Sequence, residues 1–210
     1  ALNQMRGTYI DQTGQNRVWR AEIQLKIGLI TFGRGRTNLL CSPTDRILSS
    51  SKVFQEEIVV RSDEGIQPDW SFHQHGVQQQ FGNYGLSFAS TLARWGRVLQ
   101  GTAVAYPADK MSVLRNYILN GLSMVVFKGV MDISGCGRQL FPDAPEGKGS
   151  AVLDVLSMME KADPSYAATY REYHTLLEGK EAASRQLPAN VYYWRSDLMV
   201  HRAPCFYSSV

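Results

Sequence analysis

Several function classes fall away because the 210-residue chain lacks what they need. No apolar run comes near the roughly 18–20 residues that span a membrane. There are only three cysteines, Cys41, Cys136 and Cys205. They are widely spaced and form no C-x-x-C pair, which argues against a disulfide scaffold. No glycine pattern follows a strand, so nucleotide binding has no support. No G-x-S-x-G anchors a serine triad, and Cys136, between two glycines, has no evident histidine partner. His73 and His75 form an H-x-H pair. Because no Cys, His or Asp/Glu cluster adds a third ligand at a known spacing, no metal is expected. Neither sign of charge dominates: the net charge of +3 suits a polyanionic ligand without demanding one. The chain opens on Ala1-Leu2-Asn3-Gln4 rather than on a basic, apolar signal segment, and reads there as the middle of something.

What is present is ordinary for one globular domain with a substantial core: 44% hydrophobic, 20% charged and 10% aromatic residues. After a polar loop at 9–16, Val18, Trp19, Ile23, Ile27 and Ile30 recur at helical spacing. Gly33-Arg34-Gly35-Arg36 breaks this helix, its arginines reading as a solvated turn. A second helix is expected from Ser42-Pro43-Thr44, burying Ile47, Leu48, Phe54 and Ile58. A third uses Leu86, Ala89, Leu92, Ala93 and Leu99 and stops at Gly101. A fourth starts at Pro107-Ala108-Asp109 and carries Met111, Leu114, Ile118, Leu122 and Val125.

Residues 132–150 are rich in Gly, Pro and Asp and predict a long irregular loop, a feature usually functional or mobile. Ser150 is placed to cap a fifth helix with Val152, Leu153, Val155, Leu156 and Met159. Asp163-Pro164 is placed to cap a sixth that ends near Gly179. The character then changes. Val191 to Trp194 and Leu198 to Tyr207, with Arg195-Ser196-Asp197 between them, predict a β-hairpin. A lone hairpin is marginal in water, so this end reads as the start of a β domain.

The most unusual stretch is Asp69-Trp70-Ser71-Phe72-His73-Gln74-His75-Gly76, continuing through Gln78, Gln79, Gln80 and Asn83 to Tyr84-Gly85. Glutamine and histidine carry both donors and acceptors, so such a cluster can grip a hydroxyl-rich ligand. The pattern Asp69-x-Ser71-x-x-Gln74-His75-Gly76-x-Gln78-x-Gln80, then Tyr84-Gly85, resembles the active-site signature of polysaccharide lyase family 8, which comprises chondroitin AC, hyaluronate and xanthan lyases. Thr13-Gly14-Gln15-Asn16 resembles that family's Thr-Gly-Ala-Asn loop, and Gly137-Arg138 its Gly-Arg. Tyr193-Trp194 through His201-Arg202-x-Pro204 resembles the first hairpin of its β-sandwich. The similarity covers nearly the whole chain.

The resemblance implies a mainly α fold, part of an incomplete α/α toroid of helical hairpins. Residues 1–188 would be the later part of the toroid and 189–210 the first strands of an antiparallel β-sandwich. It implies β-elimination on a uronic-acid polysaccharide of chondroitin sulfate or hyaluronan type. Asn16 and His75 would neutralise the uronate carboxylate, and Tyr84 would act as base and then acid. An ordinary phenol titrates near about 10, so Arg138 would supply the cation that favours its phenolate. Gln74, Gln78, Gln80 and Asn83 would shape the sugar cleft. No cofactor is implied. The partners implied are an acidic polysaccharide and the remaining domains of a longer enzyme, without nucleic acid or membrane, in a secreted or periplasmic bacterial protein. The sequence departs from the pattern at Pro142, where some relatives carry a second arginine, and at His73, where a chondroitin AC lyase has an apolar residue. The family's catalytic glutamate would come from the β domain, beyond Val210. Three other readings compete: a non-catalytic polysaccharide-binding module of the same fold, a xanthan-type lyase, and a toroid glycoside hydrolase, for which only Asp69 offers a nearby carboxylate.

Overall fold

The structure is a computed structural model that describes residues 12–34, 42–180, 187 and 190–210. Residues 9–11 of the expected loop, together with Gly35, Arg36, Cys41 and the boundary at 188–189, lie outside the described residues. Among the described residues six α-helices follow in order: α1 (Gly14–Gly33), α2 (Pro43–Glu57), α3 (Leu86–Leu99), α4 (Ala108–Asn116), α5 (Ala144–Ala162) and α6 (Ala167–Leu177). Two short antiparallel hairpins interrupt them, β1 (Gly65–Ile66) with β2 (Phe72–His73), and β3 (Val126–Phe127) with β4 (Val130–Met131). The chain ends in a three-stranded antiparallel sheet of β5 (Asn190–Tyr193), β6 (Leu198–Ala203) and β7 (Phe206–Ser209). The fold is therefore mainly α with a terminal sheet, and the expected hairpin gains a third strand.

The helices pack as α1 on α2, α3 on α5 and α5 on α6, with α3 also touching α1. Their shared core holds Val18, Leu25, Phe54, Phe88, Leu92 and Tyr117, all fully buried. In α1 the expected pattern is right at Val18 and places Trp19, Ile23 and Ile30 on the wrong side. Trp19, Ile23 and Ile30 are 41%, 50% and 56% exposed, whereas Val18, Ala21 and Leu25 face inward. The packed face uses small residues because α2 lies very close. A Cβ on Gly28 would stand 3.0 Å from both the Pro43 carbonyl oxygen and Ile47 Cγ1. Leu48, expected in the core of α2, is likewise exposed.

Four further expectations shift. Helix α1 begins at Gly14, inside the expected loop, and α5 begins at Ala144 with Pro145 in its first turn, so Ser150 lies within the helix rather than capping it. Helix α4 runs on into a π-turn over Tyr117–Gly121 and a 3₁₀ turn over Leu122–Val125. Asp163 does not cap the sixth helix with its side chain. Its carboxylate instead accepts from Arg115 at 2.7 Å and from the Tyr170 hydroxyl at 3.0 Å, tying α4 to α6.

The terminal sheet is fastened to the helices. Tyr193 is fully buried, and its hydroxyl donates to the carbonyls of Asn120 (2.9 Å) and Gly121 (3.1 Å). Arg202 donates to the carbonyls of Met124 and Val126, and the Tyr207 hydroxyl donates to Asp132 at 2.6 Å. The Asp69 carboxylate accepts from the Arg195 backbone at 2.6 Å, so the polar stretch is held from the sheet side as well.

Candidate active site

Strand β2 carries the polar stretch out of the core. Phe72 and His73 are buried, and the next residues turn sharply: His75 has φ 61° and Gly76 φ 83°. A left-handed backbone costs a non-glycine residue roughly 1–2 kcal/mol, so the turn must be held by its surroundings. It is closed by Gln78 N donating to the Gly76 carbonyl (2.9 Å) and Gln80 N donating to the Phe72 carbonyl (2.8 Å). Glu64 Oε1 accepts from Gly76 N at 3.0 Å. The imidazole of His75 is thereby presented outward, while His73, two residues back, stays inside. Its Nε2 meets Ser196 Oγ at 2.9 Å, and burial holds its pKa below the ordinary histidine value.

Tyr84 stands on a π-turn over Phe81–Gly85 that leads directly into α3. Two glycines let this turn sink into the fold. A Cβ on Gly82 would meet the Gly135 carbonyl oxygen at 2.6 Å, and one on Gly85 would meet the Tyr117 hydroxyl at 2.4 Å. Tyr84 itself is half-buried, its ring 5.8 Å from that of Trp19 and 4.9 Å, edge-on, from that of His75. His75 Nε2 and the Tyr84 hydroxyl lie 2.8 Å apart, a hydrogen bond between two side chains nine residues apart in sequence.

Asn16 approaches from the start of α1. Thr13 occupies the N-cap position and Asn16 lies in the first turn. The helix start is pinned by Gly14 N donating to buried Glu57 (2.9 Å) and Gln15 N donating to Gln74 Oε1 (3.0 Å). Gly14 sits at φ 57°, and a Cβ there would reach 2.3 Å from Gln74 Oε1. Gln74 is the residue before His75, so the Asn16 and His75 arms meet through it. The half-buried Asn16 side chain is one turn from Trp19, whose indole lines the Tyr84 ring.

Arg138 follows a short 3₁₀ turn, Ile133–Cys136, and is exposed. With the Asn83 amide oriented so that both its ends are matched, its oxygen accepts from Arg138 N at 3.1 Å and its nitrogen donates to Gln139 Oε1 at 2.8 Å. The Arg138 loop is thus latched to the residue preceding Tyr84. No ion pair engages the Arg138 guanidinium among the described residues. Beneath the latch, buried Lys148 of α5 donates to the Gly82 carbonyl and, at 2.5 Å, to Gln139 Oε1. Burial lowers its pKa.

The four expected cleft residues divide. Gln78 is exposed and Asn83 half-buried, whereas Gln74 and Gln80 are 1% and 4% exposed. The Gln74 side chain is consumed by Gln15 and Glu64, and both Gln74 and Gln80 lie beneath the surface of the site. Asp69 is also spent, on Ser71 and Arg195. Among the described residues no group of three or more His, Cys, Asp or Glu could hold a metal ion, and no helix is long and apolar enough to cross a membrane. Three residues join the site that the sequence did not single out for it: Trp19, Glu64 and Lys148. Trp19 is indistinguishable in sequence from a packing residue, and a solitary glutamate or lysine carries no pattern.

The family model for the N-terminal alpha-helical domain of polysaccharide lyase family 8 matches residues 2–179. A chondroitinase AC of Pedobacter heparinus is 23% identical over 149 residues, which is 70% of this chain and 21% of the relative, so the chain spans about a fifth of that protein's length. Among solved structures, a chondroitinase AC lyase studied in enzyme–oligosaccharide complexes aligns with a TM-score of 0.82 at 20% identity, over 96% of this chain and 29% of that one. A Paenibacillus xanthan lyase gives 0.76 at 16%, over 92% of this chain and 20% of that one. A Streptomyces coelicolor A3 chondroitin AC lyase in complex with chondroitin sulphate gives 0.71 at 14%, over 94% and 31%. These likenesses establish the fold as that of the lyase α-toroid enzymes.

Proposed function

This chain belongs to polysaccharide lyase family 8, and on that premise we propose that it carries much of the active site of an enzyme that cleaves a uronic-acid glycosaminoglycan, of chondroitin sulfate or hyaluronan type, by β-elimination. The observation that carries the reading is the 2.8 Å contact between His75 Nε2 and the Tyr84 hydroxyl beside the start of α1. Residues 1–188 then form the later part of the catalytic toroid and 189–210 the first strands of the β-sandwich. The remaining domains and a secreted or periplasmic location belong to the same proposal.

The difficulty of the reaction lies in its first step. The hydrogen on C5 of the uronate is barely acidic while the adjacent carboxylate keeps its charge. Asn16, at the positive end of α1, and His75 would donate to that carboxylate and stabilise the enolate-like species, an effect worth about 10²–10³-fold per donor at comparable sites. Tyr84 Oη takes the C5 proton. The electron pair forms the C4–C5 double bond, the bond from C4 to the bridging oxygen breaks, and the proton passes to the leaving oxygen. Arg138, latched by Asn83, would supply the positive charge that favours the phenolate. The exposed indole of Trp19 gives an apolar surface beside the phenol, and Gln78 offers hydrogen bonds at the rim.

The glycoside hydrolase reading needs two available carboxyl groups, but both oxygens of Asp69 are engaged within the fold, and those of Glu64 accept from Thr13, Gln74 and Gly76. Incubating the full-length enzyme with chondroitin sulfate, hyaluronan and xanthan tests the proposal. Ultraviolet-absorbing unsaturated oligosaccharides from either glycosaminoglycan are expected. Saturated products would indicate a hydrolase, product from xanthan alone a xanthan-type lyase, and binding without product a carbohydrate-binding module.

A further inference from the structure

We propose that Glu64 is a positioning residue for this reaction. Its carboxylate ties the start of α1, which carries Asn16, to the left-handed turn at His75–Gly76, and so sets the spacing of the two groups that would meet the uronate carboxylate. The role rests on the reading of Asn16 and His75 given above.

Three donors from both arms converge on this one side chain. Oε2 accepts from Thr13 Oγ1 at 2.5 Å and from Gln74 Nε2, and Oε1 accepts from Gly76 N at 3.0 Å. The chain of contacts continues, since Gln74 Oε1 accepts from Gln15 N, the residue before Asn16. Every donor on one arm is therefore no more than two bonds from the other arm, and Glu64 is the common point. Partial burial pushes its carboxyl pKa up, but the hydrogen bonds from Thr13 and from the Gly76 and His75 backbone outweigh this and hold it below the ordinary glutamate value.

A carboxylate is the side chain this place requires, because it accepts at both oxygens and donates at neither. Glutamine keeps the length but turns an NH₂ toward donors. Aspartate keeps the charge but is one methylene too short to reach both arms. His75 also needs a restraint of this kind. The backbone bonds that close the turn act on one side of it, and the bond from Gly76 N to Glu64 is the side-chain restraint that holds φ 61° at a histidine; relaxation of the turn would withdraw the imidazole from Tyr84. A displacement of about 1 Å can cost about 10²-fold in rate.

The test measures kcat and KM of the full-length enzyme for Glu64→Gln, His75→Ala and the double variant, alongside thermal melting. Glu64→Gln is expected to lower kcat about 10- to 100-fold, with KM changed less than about threefold and the fold intact. In the His75→Ala background the same change should cost much less than it does alone, because residues that act through one another are not additive. An equal loss in both backgrounds would mark a general fold defect and overturn the proposal, as would a Glu64→Gln enzyme within twofold of wild type. Should Glu64→Gln not fold, Thr13→Val removes one arm's donor at constant size. It should lower kcat severalfold, and an unchanged kcat overturns the role. An inactive His75→Ala beside a fully active Glu64→Gln removes Glu64 alone, whereas a fully active His75→Ala removes the site reading and Glu64 with it.

Discussion

Gly82 lies two residues before Tyr84, against the loop that carries Arg138, and substituting it tests how the two are held in register. A methyl group there would stand 2.6 Å from the Gly135 carbonyl oxygen, 2.7 Å from Met131 Sδ and 3.0 Å from Cys136 Cα. Two of those atoms are backbone and cannot swing aside. Restoring ordinary contact near about 3.5 Å requires the π-turn and the loop to part by roughly 0.5–1 Å. Overpacking of this kind costs about 1–3 kcal/mol, and the same displacement moves Tyr84 relative to Arg138 by enough to lower turnover by up to about 10²-fold. Gly82→Ala is therefore expected to show a lower denaturation midpoint and a much larger proportional loss in the rate of unsaturated product. Gly147→Ala is the control. It lies inside α5 with nothing within 4 Å of the new methyl, and should stabilise by about 0.5–1 kcal/mol without changing turnover. A Gly82→Ala enzyme matching wild type in both stability and rate would refute the packing that positions Tyr84.

Lys148→Met strips the donor from the Gly82 carbonyl and Gln139 Oε1. Gln139 is exposed and keeps its bond from Asn83, but the buried Gly82 carbonyl loses its lysine donor at a cost of about 1–3 kcal/mol, so denaturant melts should show a loss, and an unchanged midpoint would contradict it. Tyr193→Phe keeps the ring edge-on against Phe81 but removes two hydrogen bonds from the sheet to the helices. A loss of about 1–2 kcal/mol is expected on denaturation, and no loss would mean that the sheet is fastened elsewhere. His73 has its pKa depressed by burial, so the unfolded chain takes up that proton first as pH falls. Its contribution is complete above the unfolded value of about 6.5 and is lost as pH drops through the lower folded value. His73→Gln should flatten the decline in stability below pH ~6.5, measured by denaturant titration across that range. An unaltered slope would assign the decline to other groups.

How much of this was legible in the sequence depended on whether the signal was local. The stripe of α3, with Leu86, Ala89, Leu92 and Ala93, was readable because its opposite face is polar. In α1 Val18 was read correctly as inward-facing, but periodicity could not tell Ala21 and Leu25 from Trp19, Ile23 and Ile30. The small residues Ala21 and Gly28 mark the packed face, but only the proximity of α2 reveals why. The third strand escaped because Pro204-Cys205 separates it from β6 by so little that the two read as one. The β1–β2 and β3–β4 hairpins are two residues a side and leave no alternation to detect. For the site, His75 and Tyr84 were legible as a motif at a fixed spacing, and the structure adds their 2.8 Å contact. Glu64 was not legible, because its role comes from three donors that meet only after α1 folds against the turn. The burial of Gln74 and Gln80 was hidden for the converse reason: composition shows a polar side chain but not how deep it lies.

The most direct test is Tyr84→Phe in the full-length enzyme, which deletes one oxygen and leaves the ring against Trp19 and His75. Removing the group that takes and returns the proton should lower the rate of ultraviolet-absorbing product by about 10²–10⁴-fold while substrate affinity and melting stay near those of wild type. Undiminished turnover by Tyr84→Phe would contradict the central claim that Tyr84 is the acid–base group of this site.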